Sequence, residues 1–544
     1  MDFTQSEFTG GMDYLNKETS IPKDAYKLLI NARSRFGRLD PIFKSTDTTS
    51  TLDGLHLQGI YAIGSVLIAF ASGKAYYSLF DYDPATGKQV WVSIADFQMN
   101  ADVDIIYAQL VTGSVNDYQR LPALNSSGSA NPSGPISTSN AFNIAGTPAG
   151  LVCQDGINQP WLIVYDASIN QVTARRCHTY DQWANTSTTS DDREYVPIGT
   201  KMFFDGVRLY IVAPDGYNIY RSVSGRPLDF MVNINPDGSK LANESVGGAG
   251  TTSFALSFQA ITAIQPAAAG EFVVSTATNI YGIAPNFSVT IFGEPTFDTL
   301  FTLQSGLVNQ FCGTDINGDA GLISFNGIKN FNAIQQTKIE NQNNNFSLPV
   351  SKLFVDNNNK PIIQDICCAT EFNNYNLFAV KTIFGYCIAV YDNYRGKWSA
   401  IDITEYSTQG IKQFAIPTTA GDAHLFCVTS RNKIYHLYFN LTNAREQAQL
   451  QTKAWAKGSD DEYYSQNNTR AQHRTLAAYA RFKQGIQSGS VAVKEYTDDQ
   501  TGQWLSAELT PVDCSMDFPM RFPIGFDAQP TIRTVPFIMN QGRL

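Results

Sequence analysis

Pairs of short apolar runs, each pair joined by a tight polar turn, recur through most of this sequence. The clearest turns are Asp205-Gly206, Asn326-Gly327 and Phe384-Gly385. Asp-Gly and Asn-Gly between apolar runs are the strongest short-range signals for a β-hairpin. Between positions 60 and 440 the pairs return roughly every 40 to 60 residues, which is the spacing of four-stranded propeller blades.

This spacing predicts an all-β fold whose main part is a β-propeller, and it leaves stacked β-sandwiches open as the alternative. Convincing amphipathic helical patterns are almost absent; even the best candidate, from Glu446 to Trp455, alternates in a way that suits a strand. We divide the chain into an extended N-terminal arm (residues 1–55), a β-propeller (56–447) and a C-terminal β-domain (448–544). A low-complexity insertion near residues 119–150 interrupts the propeller.

The composition excludes several classes of protein. Charged residues make up only 16% of the 544 residues, against about 25% in ordinary soluble proteins. The net charge of −10 argues against a broad surface that binds nucleic acid through its phosphates. No apolar run approaches the ~18 residues that a membrane-spanning helix needs, so we expect no membrane insertion.

The sequence lacks the common catalytic and cofactor-binding motifs. Gly73-Lys74-Ala75 and Gly87-Lys88-Gln89 lack the hydroxyl that a phosphate-binding P-loop requires, and neither Gly-x-Ser-x-Gly nor His-Glu-x-x-His occurs. We interpret His424 and His436, on neighbouring predicted strands, as a structural pair. Residues 315–319 read as a polar turn and not as a calcium loop. We therefore predict no catalytic residue, no metal site, no cofactor and no enzymatic activity.

Eight cysteines are spread along the chain without a Cys-x-x-Cys spacing, at positions 153, 177, 312, 367, 368, 387, 427 and 514. Cys387 and Cys427 lie within apolar runs, where a free thiol behaves as a small buried side chain. We predict reduced thiols in the cores; structural disulfides or a metal site are the alternatives that remain open.

The N-terminal arm concentrates glycine, proline and charge in a chain that is otherwise poor in charge. Its glycines free the backbone from the limits that a Cβ sets, and its proline fixes φ, so the arm can lie extended against a neighbour. Arg33 and Arg35 would point to one face of a strand, where they either pair with carboxylates of an adjoining subunit or deter edge pairing. We predict contacts with another subunit or an adaptor protein for Gly10, Gly11, Pro22, Asn31, Arg33, Arg35, Arg38 and Asp40.

The order of the segments in the arm carries a family resemblance. GGMDYL begins at residue 10, IP at residue 21 and LINARSRFGRLDP at residue 29. This series resembles the start of the tail nozzle proteins of short-tailed bacteriophages, which include the tail tubular protein B and packaged-DNA-stabilisation families. Residues 219–230, 306–325 and 390–399 are similar to later strand-and-turn segments of the same families.

The resemblance implies a structural virion protein. It would form a ring, a hexamer in these families, in the distal part of the tail, where it closes the DNA exit channel, retains the packaged genome and conducts it during ejection. Its partners would be copies of itself, the adaptor above it, fibres or a needle, and passing DNA that is bound without sequence preference. An acidic lumen would repel the phosphates, although the sequence identifies no channel-lining residue. The alternative is a propeller-based host-attachment protein that binds or cleaves glycans.

Overall fold

The predicted hairpins form neighbouring strands of antiparallel sheets. Met202–Phe204 pairs with Leu209–Val212 around Asp205-Gly206, and Asp319–Ser324 pairs with Gly327–Asn330 around Asn326. In a computed structural model, seven sheets of this kind are arranged as the blades of a β-propeller. The predicted fold class is confirmed, and the propeller is preferred over stacked sandwiches.

Strands account for 53% of the structure, and the described helices are short: Ser50–Leu52 and Leu348–Leu353 are 3₁₀-helical, and Glu405–Thr408 is α-helical. No helix among the described residues is long and apolar enough to cross a bilayer. The structure describes residues 9–16, 20–22, 24–35, 38–79, 88–113, 143–144, 147–166, 171–177, 195–230, 250–253, 259–267, 271–289, 295–303, 306–331, 346–419, 421–440, 442, 444–451, 481–482, 489–495, 503–509 and 542–543.

The first four blades follow one another along the chain, and the strands of each blade run in order from the axis outward. Blade 1 contains Leu57–Ile63, Val66–Ala71, Lys74–Ser78 and Val92–Ser93. Blade 2 contains Tyr107–Thr112, Thr147–Gln154, Trp161–Asp166 and Gln171–Arg176, with Asn143–Ile144 added beside its second strand. Blade 3 contains Met202–Phe204, Leu209–Val212, Asn218–Arg221 and Gly250–Ser253, and blade 4 contains Ile261–Pro266, Phe272–Thr276, Ile280–Val289 and Pro295–Leu303.

The last three blades depart from this regular pattern. The described strands of blade 5 are Gly313–Ile316, Asp319–Ser324 and Gly327–Asn330. Blade 6 contains Cys368–Phe372, Tyr375–Thr382, Gly385–Asp392 and Lys397–Asp402, extended by Leu28–Ile30 and Gln449–Gln451. Blade 7 contains Ile411–Ala415, Leu425–Thr429 and Ile434–Leu437, followed by Thr46–Asp47, while Thr418–Thr419 and Asp422–Ala423 form a small hairpin between its first two strands.

The innermost strands of the blades surround the propeller axis. The first strand of blade 7, Ile411–Ala415, contacts the first strand of blade 1, Leu57–Ile63, so the ring of blades is closed. Apolar side chains fill the space between neighbouring blades: Phe97 and Trp161 lie 5.1 Å apart, centroid to centroid, between blades 1 and 2. Burial of each such side chain contributes about 1.5 to 3 kcal/mol, so the cores between blades are the main source of stability.

The N-terminal arm completes the last two blades and is not a separate element. Leu28–Ile30 runs along the edge of blade 6, and Thr46–Asp47 is the outermost strand of blade 7. The sequence-based division at residue 55 misses this pairing. The arm pairs with blade 7 because this blade has only three strands from its own part of the chain. Without the strand from the arm, the open edge of the blade would leave backbone groups without partners. Two further pairings organise the arm: Gly11–Met12 with Ala25–Tyr26, and Ala32–Arg35 with Arg38–Pro41.

The cysteine prediction is confirmed for the seven cysteines that the structure describes. All seven are buried and none is in a disulfide. Burial raises the pKa of the Cys153 and Cys368 thiols well above the ordinary value, so both stay protonated. Cys514 lies outside the described residues.

Two predicted regions lie largely outside the described residues. They are the insertion near residues 119–150 and the C-terminal segment 448–544. Within that segment, Gly489–Glu495 pairs with Gln503–Leu509 as an antiparallel hairpin, and Arg481–Phe482 pairs with Gly542–Arg543. The sequence predicts strand-like runs at 488–496 and 504–509, and the two strands of the hairpin agree with them.

Removal of residues 1–47 in a Cys514→Ser background tests the role of the arm. Without its outer strand, blade 7 opens, and we expect Cys427 to react with a thiol reagent that leaves the full-length Cys514→Ser protein unmodified. Mass spectrometry of the labelled peptides identifies the thiol, and Cys427→Ser in the truncated chain is the matched control. Full protection of all seven thiols in the truncated protein would contradict this account of closure.

Candidate functional site

Asn31 ties the arm to two other parts of the chain. Its φ of 54° lies in the left-handed region, which asparagine tolerates better than most residues. Its side-chain amide donates to the carbonyl oxygens of Ile403, at 3.0 Å, and Gln447, at 3.2 Å. Its side-chain oxygen accepts from the Ile403 N–H at 2.8 Å. One neutral side chain therefore joins the arm, the end of blade 6 and the segment after blade 7.

Arg33 forms a buried ion pair with Asp402, the last residue of the outer strand of blade 6. The pair is bidentate, with nitrogen–oxygen distances of 2.7 and 2.6 Å. The Tyr438 hydroxyl accepts from Arg33 at 3.1 Å and donates to Asp402 at 2.7 Å. Burial would lower the pKa of Arg33, but the Asp402 carboxylate outweighs it and raises this pKa. The charge is thus satisfied within a core where Asp402 has no exposed surface.

Gly11 lies where the arm approaches blade 6 most closely. Its φ is +80°, and a Cβ on this residue would lie 2.8 Å from the Trp398 carbonyl oxygen. The neighbouring Tyr26 is fully buried, and its hydroxyl donates to the Ser399 carbonyl at 2.6 Å. A side chain at Gly11 would push the arm away from the blade, so glycine is required there.

The structure changes the interpretation of the predicted contact residues. The sequence left two roles open for Arg33, pairing with a carboxylate of an adjoining subunit and deterring edge pairing; in the structure its partner is Asp402 of the same chain. Gly10 and Gly11 lie against residues of the same chain as well. Asp40 is half-buried in the strand opposite Arg33.

The remaining predicted contact residues are Pro22, Arg35 and Arg38. Pro22 is exposed at the start of a turn. Arg35 and Arg38 face each other in the backbone of the hairpin, and their side chains lie outside the described residues. Sequence reasoning missed Asp402 and Tyr438. The signal for Asp402 was an acidic residue at the end of the apolar strand Lys397–Asp402.

Glutamine amides link neighbouring blades near the axis. The Gln310 side chain donates to the Met202 carbonyl in blade 3 at 3.0 Å and accepts from the Ile264 N–H in blade 4 at 2.9 Å. The Gln413 side-chain oxygen, in blade 7, accepts from the Ile60 N–H in blade 1 at 3.0 Å. An amide both donates and accepts, so each can satisfy backbone groups of two blades without burying a charge.

A cavity of about 320 Å³ lies at the propeller axis, and residues from all seven blades contribute to its lining. The aromatic residues of the lining are Tyr61, Tyr107, Phe203, Phe311 and Phe414. Amide groups come from Gln109, Gln265, Gln310 and Gln413. Of the described residues that line the cavity, none is Asp, Glu, Lys, Arg or His. The cavity therefore combines apolar faces with neutral polar groups.

Tyr107 and Tyr61 differ in how their hydroxyls are used. The Tyr61 hydroxyl donates to the Ile106 carbonyl at 2.8 Å. The Tyr107 ring stacks on Phe311, with centroids 6.2 Å apart and planes 15° from parallel. Burial raises the pKa of Tyr107 to about 12, so its hydroxyl stays protonated. Within the described part of the chain, no group forms a hydrogen bond with this hydroxyl.

The structure places the His424 and His436 rings side by side and forms a tight turn between Gly313–Ile316 and Asp319–Ser324. The His424 and His436 rings lie 5.3 Å apart, and His436 is stacked between Phe426 and Phe439, each 4.3 Å away. Asp315 accepts from the Gly318 N–H at 2.7 Å in a tight turn. No cluster of three or more His, Cys, Asp or Glu side chains suited to a metal ion occurs among the described residues.

No protein-family profile matches the chain, and no curated protein matches its sequence.

A double-mutant cycle on Arg33 and Asp402 tests the buried pair. Arg33→Met leaves a buried carboxylate alone and should lower the free energy of unfolding by about 3 to 5 kcal/mol. Arg33→Met combined with Asp402→Leu should recover part of this loss, because no charge then remains unpaired. Denaturant titration measures each value. Asp53→Asn, which breaks an exposed pair with Lys433, is the control with unfolding close to wild type. Wild-type stability of Arg33→Met would refute the role of the pair.

His436 makes the stability depend on pH. Burial, with a smaller contribution from His424, lowers the pKa of His436 from 6.5 to about 3. The unfolded chain binds a proton on this residue below pH 6.5 while the native chain does not, so stability is lost as the pH falls from 6.5 towards 3. The contribution is about 1.4 kcal/mol per pH unit.

Replacement of this histidine isolates the effect. In His436→Gln the free energy of unfolding should fall less steeply with decreasing pH than in wild type. Urea titrations between pH 4 and 7 provide both slopes. Equal slopes for His436→Gln and wild type would show that the imidazole is not held neutral.

Proposed function

We propose that this protein is a structural subunit of the tail nozzle of a short-tailed bacteriophage. The observation that carries the proposal is that the arm segment resembling the nozzle families has a definite task in this fold. Asn31 and Arg33 attach the arm to blade 6 and thereby place the strand that completes blade 7. This motif determines how the propeller closes. A resemblance to the nozzle families in such a motif therefore supports a similarity of the whole architecture.

In this proposal the DNA passes between subunits and not through a propeller. The axial cavity, at about 320 Å³, has the size of a small-ligand pocket. A ring of copies, six by family resemblance, would enclose the channel in the distal part of the virion tail. The net charge of −10 would repel the phosphates and keep the genome from adhering during ejection.

Tyr394 supports association with other chains. Its side chain is 87% exposed, which is the highest value among the described large apolar residues. It lies in the turn between the third and fourth strands of blade 6. Tyrosine is enriched at protein interfaces because its ring contributes a large apolar area at low entropic cost. We assign this turn to the contact between copies.

A host-attachment protein that binds or cleaves glycans is the alternative, and cleavage can be compared with the axial cavity. That chemistry uses two carboxyl groups on either side of the scissile bond. The axial cavity offers aromatic rings and amides among its described residues, so it supplies no observation in favour of cleavage there.

Electron microscopy of the purified full-length chain and of labelled virions tests the proposal. We expect rings with a central opening, and gold-labelled antibodies at the distal end of the tail. Tyr394→Ser should shift the mass distribution towards single chains, whereas Tyr217→Ser, in a turn at the opposite end of its blade, should leave the rings intact. A protein that stays monomeric and is missing from the virion would refute the proposal.

A further inference from the structure

We propose that the axial cavity binds one uncharged saccharide ring. This binding does not depend on the nozzle assignment, because it concerns the interior of a single propeller. The size, charge and polarity of the cavity lining support it. Each of these three properties excludes a different class of ligand.

The size of the cavity limits the ligand to one small ring. Its volume of about 320 Å³ lies at the lower end of the range for small-molecule pockets, which is roughly 300 to 1,000 Å³. Small side chains preserve this space: Ala62, Ala108 and Ala369 line it, and Gly313 has its α-carbon beside the Gln265 amide. A disaccharide or a peptide segment would have to extend out of the cavity.

The charge of the cavity excludes ions. An ionised ligand would lose its hydration and find no opposite charge among the described lining residues, and this uncompensated desolvation is costly. The Lys201 ammonium lies outside that lining, 5.6 Å from the centroid of the Tyr107 ring, and it already contacts that ring. Sugar phosphates, uronic acids and nucleotides with their phosphates are therefore poor ligands. A neutral ligand meets no such penalty.

The polar groups of the lining exclude a purely apolar ligand. Four glutamines and Tyr107 line the cavity, and a hydrocarbon would cover the Tyr107 hydroxyl without replacing its bonds to water. Amides and hydroxyls each donate and accept, which is the pattern that a polyhydroxylated ring presents in return. The Tyr107 hydroxyl is the clearest point of contact because no described group of the protein bonds to it.

The aromatic rings complete the match. Phe311 and Tyr107, which both line the cavity, form a nearly parallel stack with planes 15° apart. A sugar ring has an apolar C–H face as well as hydroxyls at its edge, so it can contact both kinds of lining at once. The cavity is also largely preformed, since Gln310 is held by bonds to blades 3 and 4.

Ligand-observed NMR and calorimetry on the full-length protein test the inference. The probes are glucose, galactose, mannose and N-acetylglucosamine, together with glucuronate and glucose 6-phosphate as charged counterparts and indole as an apolar one. We expect at least one neutral sugar to bind with a one-to-one stoichiometry and the charged and apolar compounds to bind at least tenfold more weakly. Saturation by none of the neutral sugars, or equal binding of the charged ones, would overturn the inference.

Three variants locate the site. Tyr107→Phe keeps the ring, removes a hydroxyl that no described group bonds, and should weaken binding about five- to tenfold at unchanged thermal stability. Ala369→Val reduces the space without altering a polar group and should also weaken binding. Tyr217→Phe, in an exposed turn of blade 3, is the matched control and should bind as wild type does. Unchanged affinity in both cavity variants, at wild-type melting temperature, would place the sugar elsewhere and refute the site.

Discussion

The pairing of the arm with the last two blades is the constraint on which this structure depends. A propeller is stable only as a closed ring, since an open last blade would expose a row of backbone donors and acceptors together with one face of its core. Thr46–Asp47 covers the edge strand Ile434–Leu437, and Leu28–Ile30 runs beside Lys397–Asp402. The first strands of the chain thus connect to its last blades, and closure is a contact between the most distant parts of the propeller sequence.

The ion pair between Arg33 and Asp402 sets the register of that closure more than it adds stability. Two charges removed from water regain in mutual attraction about what they lose in hydration, so the net gain of a buried pair is small. A shift of the arm by one residue would instead place Ala32 or Ser34 at this position and leave Asp402 buried without a cation. The cost of that error makes the observed register the preferred one.

The sequence predicted the elements that depend on local chemistry and missed those that depend on distant contacts. Asn326-Gly327 and Phe384-Gly385 identified hairpins, because positive φ at the turn is a property of two or three residues. The role of Arg33 could not be read in the same way. Its partner lies 369 positions later, and pairing with another chain predicts the same alternation of arginine with uncharged residues. The cavity lining was equally hidden, since its residues come from all seven blades and no short segment of the chain contains the set.

The junctions between blades explain part of the low fraction of charged residues. A blade junction near the axis needs polar side chains, because it brings backbone groups of two sheets together without continuing either ladder. Gln154 meets this need in blade 2, where it donates to the Pro197 carbonyl and accepts from the Gly199 N–H, both at 2.9 Å. A lysine or glutamate could satisfy only one of these groups and would require a counter-ion. Neutral amides at the junctions therefore follow from the propeller architecture, and a low fraction of charged residues is not by itself evidence for a surface covered by other subunits.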